Sequence, residues 1–169
     1  MSDHESDESD LKTLSIDGWR AGIRFNSCHL IPHHEKCSRL HGHTYVLHLK
    51  IKGHPDESGF LMDFSEIKRA LKAIADSLDH RILLAGNNPH ITITQKGGEV
   101  EAIYSGKRYV FPEGDVVILD LPSMTAEMMS EYIAKEFVKH AAIPDNIVKI
   151  KAGLDEGPGQ GAWSTLVLR

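Results

Sequence analysis

The residues best equipped for chemistry are His29 and the run Cys37-Ser-Arg-Leu-His41-Gly-His43. Neutral imidazoles are good zinc ligands, a thiolate serves as base or nucleophile, and three protein ligands leave zinc's fourth tetrahedral position to water or substrate. Histidines at i and i+2 project to the same side only on an extended strand, where side chains alternate between faces. The run Thr44 to Ile51 alternates in that way, and Gly22 to His29 also reads as a strand. Antiparallel pairing of the two across the intervening loop brings His29, in phase with Phe25 and Ser27, up to His41 and His43. The outline is a three-histidine zinc site with a separate thiol at Cys37.

With 11 histidines in 169 residues, each pair has to be weighed against an ordinary surface or core role. His48 lies an odd number of residues from His43 and faces the other way, which takes it out of the ligand set. His33 and His34 follow Pro32 in the loop and read as a solvated, mobile pair. Cys28 points to the sheet face opposite His29 and reads as a small buried side chain. Leu78-Asp79-His80 closes a helix, where a carboxylate beside an imidazole either caps the helix or orients a proton carrier. Asp155 and Glu156 sit in a glycine-rich turn, Asp155-Glu-Gly-Pro-Gly-Gln-Gly-Ala162, where a backbone can approach a ligand closely. Thr125 and Glu127 read locally as a helix cap and a first-turn acid.

The elements that must position these residues follow from periodicity. Asp63-Phe-Ser-Glu66 resembles a capping box, and Ile67, Leu71, Ile74, Ala75 and Leu78 form one apolar helical stripe. A second helix follows Pro122-Ser123, with Met128, Met129, Tyr132, Ile133 and Phe137 on its buried side. The last strands are Ile147 to Lys151 and Ser164 to Arg169. The segment from Ala85 to Asp115 is rich in Gly, Asn, Thr and β-branched residues, and Tyr104 to Val110 looks like part of a hairpin. The order is ββ, α, insertion, α, ββ: an α+β domain with an antiparallel four-stranded sheet and two helices on one face. The other face is left open, with histidines as well as apolar side chains on it, so assembly is the natural way to cover it.

Length and composition fit one globular domain, residues 13–169, behind an acidic, apolar-poor tail, residues 1–12, expected to be disordered. A net charge of −5 without a basic stripe argues against nucleic acid as a partner. There is no run of eighteen apolar residues and no signal-peptide pattern, so a soluble, cytoplasmic protein with no membrane partner is expected. Two cysteines with separate local explanations do not suggest a disulfide.

His29, Cys37-x3-His41-Gly-His43, Gly59-Phe-Leu-Met-Asp63-Phe, Leu78-Asp79-His80, Thr125-Ala-Glu127 and a late acid before Ala162-Trp163 together resemble the family of 6-pyruvoyl- and 6-carboxy-tetrahydropterin synthases, over roughly residues 20–169. The resemblance implies a tunnelling fold, ββααββ, assembled as a homo-hexamer of two trimers with active sites between subunits. It places Zn²⁺ on His29, His41 and His43, the catalytic thiol on Cys37 and a proton-relay pair on Asp79 and His80. It puts Thr125 among the substrate contacts and the pterin anchor on Glu156, with Asp155 as the neighbouring alternative. The implied substrate is the small molecule dihydroneopterin triphosphate. The short spacing from Cys37 to His41 resembles the 6-carboxy branch, which feeds 7-deazaguanine (queuosine and archaeosine) synthesis; the 6-pyruvoyl branch is the alternative. An unrelated zinc hydrolase, or a non-catalytic pterin- or metal-binding oligomer, are further readings.

Overall fold

The computed structural model describes residues 10–169; the acidic stretch 1–9, which makes up most of the expected tail, lies outside the described residues. Strand β1 spans Lys12–Ile16. A single helical turn, α1 (Gly18–Ala21), leads to β2 (Arg24–His29) and to the long strand β3 (His41–Gly53). Helix α2 (Phe64–Leu78) precedes β4 (Arg81–Ala85). Three short strands follow, β5 (Thr92–Lys96), β6 (Glu99–Tyr104) and β7 (Lys107–Pro112), then β8 (Val116–Leu119). Helix α3 (Ala126–His140), β9 (Ile147–Asp155) and β10 (Gly161–Val167) complete the chain.

The four expected strands form the antiparallel run β10-β9-β3-β2, and the sheet then extends through β4 and β8, which pair in parallel. Strand β3 is long enough to serve two partners on one edge: β2 pairs with residues 41–46, and β1 with residues 49–53. The main sheet therefore has seven strands rather than four. The expected hairpin is a three-stranded antiparallel meander, β5-β6-β7, turned between β6 and β7 at Ser105-Gly106, where both residues have positive φ. The meander buries Val100, Ala102 and Tyr104 with Ile91, Leu84 and Leu30, in a small core of its own.

Both helices cover one side of the main sheet, and their caps are as expected. Asp63 accepts the Ser65 N–H, and Thr125 accepts the Met128 N–H. Glu66 does not close a reciprocal capping box, because its carboxylate accepts the Ala142 N–H instead. In α3, Met129, Ile133 and Phe137 are buried, whereas Met128 and Tyr132 are only half-buried. The helix-covered side carries the row Tyr45, Leu47, Leu49 and Ile51 of β3, all fully buried. By the alternation of the strand, His41 and His43 continue that row. The histidines of the metal motif thus lie on the covered side, and it is His48 that faces the open one, because phase with the core row outweighs polarity. Among the described residues no helix is long and apolar enough to cross a membrane.

Candidate metal centre

His29 closes β2 and His41 opens β3, and antiparallel pairing sets His29 against His41 and Ser27 against His43. One potential ligand atom from each of the three histidines lies within 4.8 Å of the other two. The hydrogen bonds fix which nitrogen is which. His29 Nδ1 is 2.8 Å from the Met124 carbonyl, and His41 Nδ1 is 2.7 Å from the Arg39 carbonyl. A carbonyl only accepts, so each Nδ1 carries the proton and each Nε2 presents a lone pair. Those two Nε2 atoms face each other at 3.1 Å and cannot satisfy one another. The Nε2 of His43 is buried with no partner among the described residues. Burial holds the His29 pKa down at about 4 against the opposing pull of the Met124 carbonyl, with the nearby His41 and His43 adding to the depression. The ring is therefore neutral near pH 7, the form that binds metal. Three converging nitrogens whose lone pairs lack protein donors could hold a metal ion.

Tyr45 stands beside this set, its ring edge-on to His29 and His43 with centroids 5.8 and 5.5 Å away, and stacked on Phe25 at 4.8 Å. Its hydroxyl is buried without a partner. Desolvation first, then the charges of Glu156 and Cys28, push its ionisation upward, so the hydroxyl stays protonated. Glu156 follows the Asp155–Val46 pair of the β9–β3 ladder and falls next to Tyr45, with Oε1 buried and unpartnered. Asp155 turns the other way. Its Oδ2 accepts from Trp19 Nε1 at 2.7 Å and His48 Nε2 at 3.1 Å, and His48 Nδ1 accepts the Gly18 N–H at 3.1 Å. Gly18 has to be glycine there, because a Cβ would fall 2.0 Å from the Leu47 carbonyl oxygen.

Cys37 lies half-buried in the loop between β2 and β3, outside the group of converging ligand atoms. Its N–H donates to His34 Nδ1 at 3.0 Å, and its carbonyl accepts the Ile31 N–H at 2.7 Å. His33 and His34 are both exposed, as expected of a solvated pair, but each is tied into the loop by contacts of its own. His33 has φ +63°, donates its N–H to the Tyr104 hydroxyl at 2.7 Å and stands edge-on to His90 at 4.1 Å. Loop closure and the neighbouring meander account for both, and neither was visible in local sequence.

Asp79 and His80 do pair, with His80 Nδ1 2.8 Å from Asp79 Oδ2. Asp79 Oδ1 also accepts the Asn26 N–H at 2.7 Å, and this bond above all, followed by His80, holds the Asp79 carboxyl below its usual range. His80, in a left-handed conformation at φ +55°, reaches an open cleft of about 550 Å³ that also admits Asn26, Cys28, Arg81 and Asp115. Cys28 is on the face opposite His29, as expected, but is half-buried at this cleft rather than fully enclosed. Cys37 does not line the cleft. The Thr125 hydroxyl caps α3 at 3.5 Å from the Met128 nitrogen, and the adjacent Met124 supplies the carbonyl that holds His29. Met124, Arg39 and Tyr45 are the residues that sequence reasoning missed. Two act through backbone carbonyls, which leave no side-chain signal, but Tyr45 shares the alternation of His41 and His43 and was within reach of the same argument.

An α+β chain whose paired strands bring three ligand-ready imidazoles together, with the half-buried Glu156 on the same side, has the outline of a metal-binding site built on a sheet. The sequence profile described as 6-pyruvoyl tetrahydropterin synthase matches residues 20–164. A putative 6-carboxy-5,6,7,8-tetrahydropterin synthase of Methanocaldococcus jannaschii is 36% identical over 88% of this chain and 93% of its own length. One from Pyrococcus abyssi is 31% identical over 86% and 87%. The solved 6-pyruvoyl tetrahydropterin synthase of Plasmodium falciparum superposes with TM-score 0.87 over 94% of this chain and 99% of that one, at 24% identity, which establishes the tunnelling fold. The chain belongs to the 6-pyruvoyl tetrahydropterin synthase family, a family of lyases. Membership removes the unrelated zinc hydrolase as a reading.

Proposed function

We propose that this protein is a zinc-dependent 6-carboxy-5,6,7,8-tetrahydropterin synthase acting on 7,8-dihydroneopterin triphosphate. The observation that carries the reading is the covered side of the sheet, on which three ligand-ready imidazoles converge and Glu156, its Oε1 buried and without a partner among the described residues, stands beside the adjoining Tyr45. The names of the relatives that match most of the chain favour the 6-carboxy branch.

Zinc held by His29, His41 and His43 would supply Lewis-acid polarisation of the substrate's side-chain oxygens. The chain's own residues do the rest. Glu156 accepts hydrogen bonds from a pterin ring N–H and the exocyclic amine, fixing the ring so that its side chain points toward the histidines. Cys37, as thiolate, takes a proton from the side-chain carbons, and His80, held by Asp79, carries the second proton as acid or base. Thr125 contributes at the edge of the substrate site through its backbone, since its hydroxyl caps α3. Asp79 and His80 reach a cleft that Cys37 does not line; in this reading they serve the thiol of a second subunit in a homo-hexamer of two trimers, as the family resemblance implies. Counting atoms, loss of triphosphate and scission of the three-carbon side chain, with one water consumed, gives a 6-carboxyl group and acetaldehyde.

The test is incubation of the zinc-loaded protein with dihydroneopterin triphosphate and identification of pterin and aldehyde by mass spectrometry. Acetaldehyde with 6-carboxytetrahydropterin is expected, and accumulation of 6-pyruvoyltetrahydropterin instead would move the chain to the sister branch. Cys37→Ala should keep its zinc and oligomeric state and lose turnover by at least about a hundredfold, as for removal of a general base. Undiminished turnover by that variant would defeat the thiol mechanism.

A further inference from the structure

The β5-β7 meander is not used by any step above, yet its one buried hydroxyl ends on the loop that carries Cys37. Tyr104 is 8% exposed, its ring packed with Leu30, Leu84 and Val100 in the small second core. Leu30 directly follows His29, so this core grips the point where the chain leaves the metal centre and enters the loop. The Tyr104 hydroxyl accepts the His33 N–H at 2.7 Å, and the His33 ring stands edge-on to His90, just ahead of β5. A left-handed conformation at a non-glycine residue is strained and persists where its surroundings hold it. For His33, at φ +63°, those surroundings are the meander.

From His33 the constraint passes to the thiol in one short step. Ile31 N–H closes on the Cys37 carbonyl, Ser38 N–H on the His34 carbonyl at 3.1 Å, and Cys37 N–H on His34 Nδ1. The loop is thus pinned internally at Cys37, at its far end by the His41 ring on the Arg39 carbonyl, and at its near end through Leu30 and His33. We propose that the inserted meander is a brace for the catalytic loop and that Tyr104 is a positioning residue for Cys37, acting through the backbone of His33. This rests on the reading of Cys37 as the catalytic thiol. Its consequence is that the insertion tunes the proton-transfer step and not metal or pterin binding, because His29, His41, His43 and Glu156 are held by other elements.

The test is Tyr104→Phe in the zinc-loaded full chain, which removes the hydroxyl and keeps the ring. Loss of one such hydrogen bond should lower kcat about three- to tenfold, with KM for dihydroneopterin triphosphate within about twofold and zinc content unchanged. Amide hydrogen exchange at Ile31 and Cys37 should speed up in step. Ile103→Ala, on the outer face of β6, should leave both readouts at the wild-type level. Should Tyr104→Phe lose zinc or melt early, the exposed His90→Ala reads the same contact from its other side and should shift kcat and exchange in the same direction, by less. Unchanged exchange at Ile31 and Cys37 in both variants overturns the brace even if the wild type proves inactive on this substrate. Faster exchange with unchanged kcat in an active wild type overturns the positioning role, and an equal rise in KM would place Tyr104 in substrate binding instead.

Discussion

The two sides of the sheet near the end of β9 hold the same kinds of residue in opposite conditions. On the open side, His48, Asp155 and Trp19 satisfy one another: both imidazole nitrogens are bonded, and the carboxylate takes two N–H donors. On the helix-covered side, His43 Nε2, the Tyr45 hydroxyl and Glu156 Oε1 are all buried without partners among the described residues. Asp155 and Glu156 are neighbours in sequence, and the alternation of the strand sends one into a closed lock and the other toward Tyr45 on the side of the three histidines. A histidine and a carboxylate alone therefore say nothing of function. The informative quantity is whether their polar atoms are already paired, since a buried orphan costs on the order of 1–3 kcal/mol and is retained where an external group completes it.

That contrast can be broken most forcefully at the triad. His41→Ala removes one of three ligands, so zinc content measured by metal analysis should fall to near background and turnover with it. The wild type should melt at a higher temperature with zinc than with a chelator, and the variant should show no such difference. Full zinc occupancy in single alanine variants of His29, His41 and His43 would remove the covered side's claim to a metal. Glu156→Gln comes next. Under the proposed anchor role it should weaken pterin binding about tenfold or more, the worth of a charge-assisted hydrogen bond, with zinc content and melting temperature held. If affinity is lost in Asp155→Asn instead, the two sides have exchanged roles.

Asp155→Asn otherwise belongs to stability. Weakening the acceptor shared by Trp19 and His48 should lower unfolding free energy by about 1–2 kcal/mol, read by denaturant titration, with little change in pterin affinity. The smallest effect lies at Asp79. Its folded carboxyl titrates below the ordinary value, so its contribution is present above the unfolded pKa and lost as pH falls through the folded one. Asp79→Asn should accordingly melt slightly below the wild type at neutral pH and converge with it as pH falls below about 4, where the aspartate becomes protonated, so the variant's melting temperature depends less on acid.

Much of this was legible along the chain. Alternation of β2 and β3 was enough to bring His29, His41 and His43 together and to turn His48 away, because strand phase is a local property. The apolar stripe and Asp63 cap of α2, and the Thr125 cap of α3, were readable for the same reason. Other features depend on long-range contacts. Which side of the sheet the helices cover decided that the histidines continue a buried row, and only that burial makes His29 neutral and leaves His43 unpartnered. The seven-stranded extension through the parallel strands β4 and β8 depends on a crossover that periodicity does not reveal. The choice between Asp155 and Glu156 remained open in sequence, because a glycine-rich turn does not announce its phase; the partners of Asp155 come from residues 107 and 136 positions away. Sequence determined which side chains could do the chemistry, through local spacing. Tertiary structure decided which of them are left with unpaired atoms, because pairing is made by groups distant in the chain and brought together only by the fold.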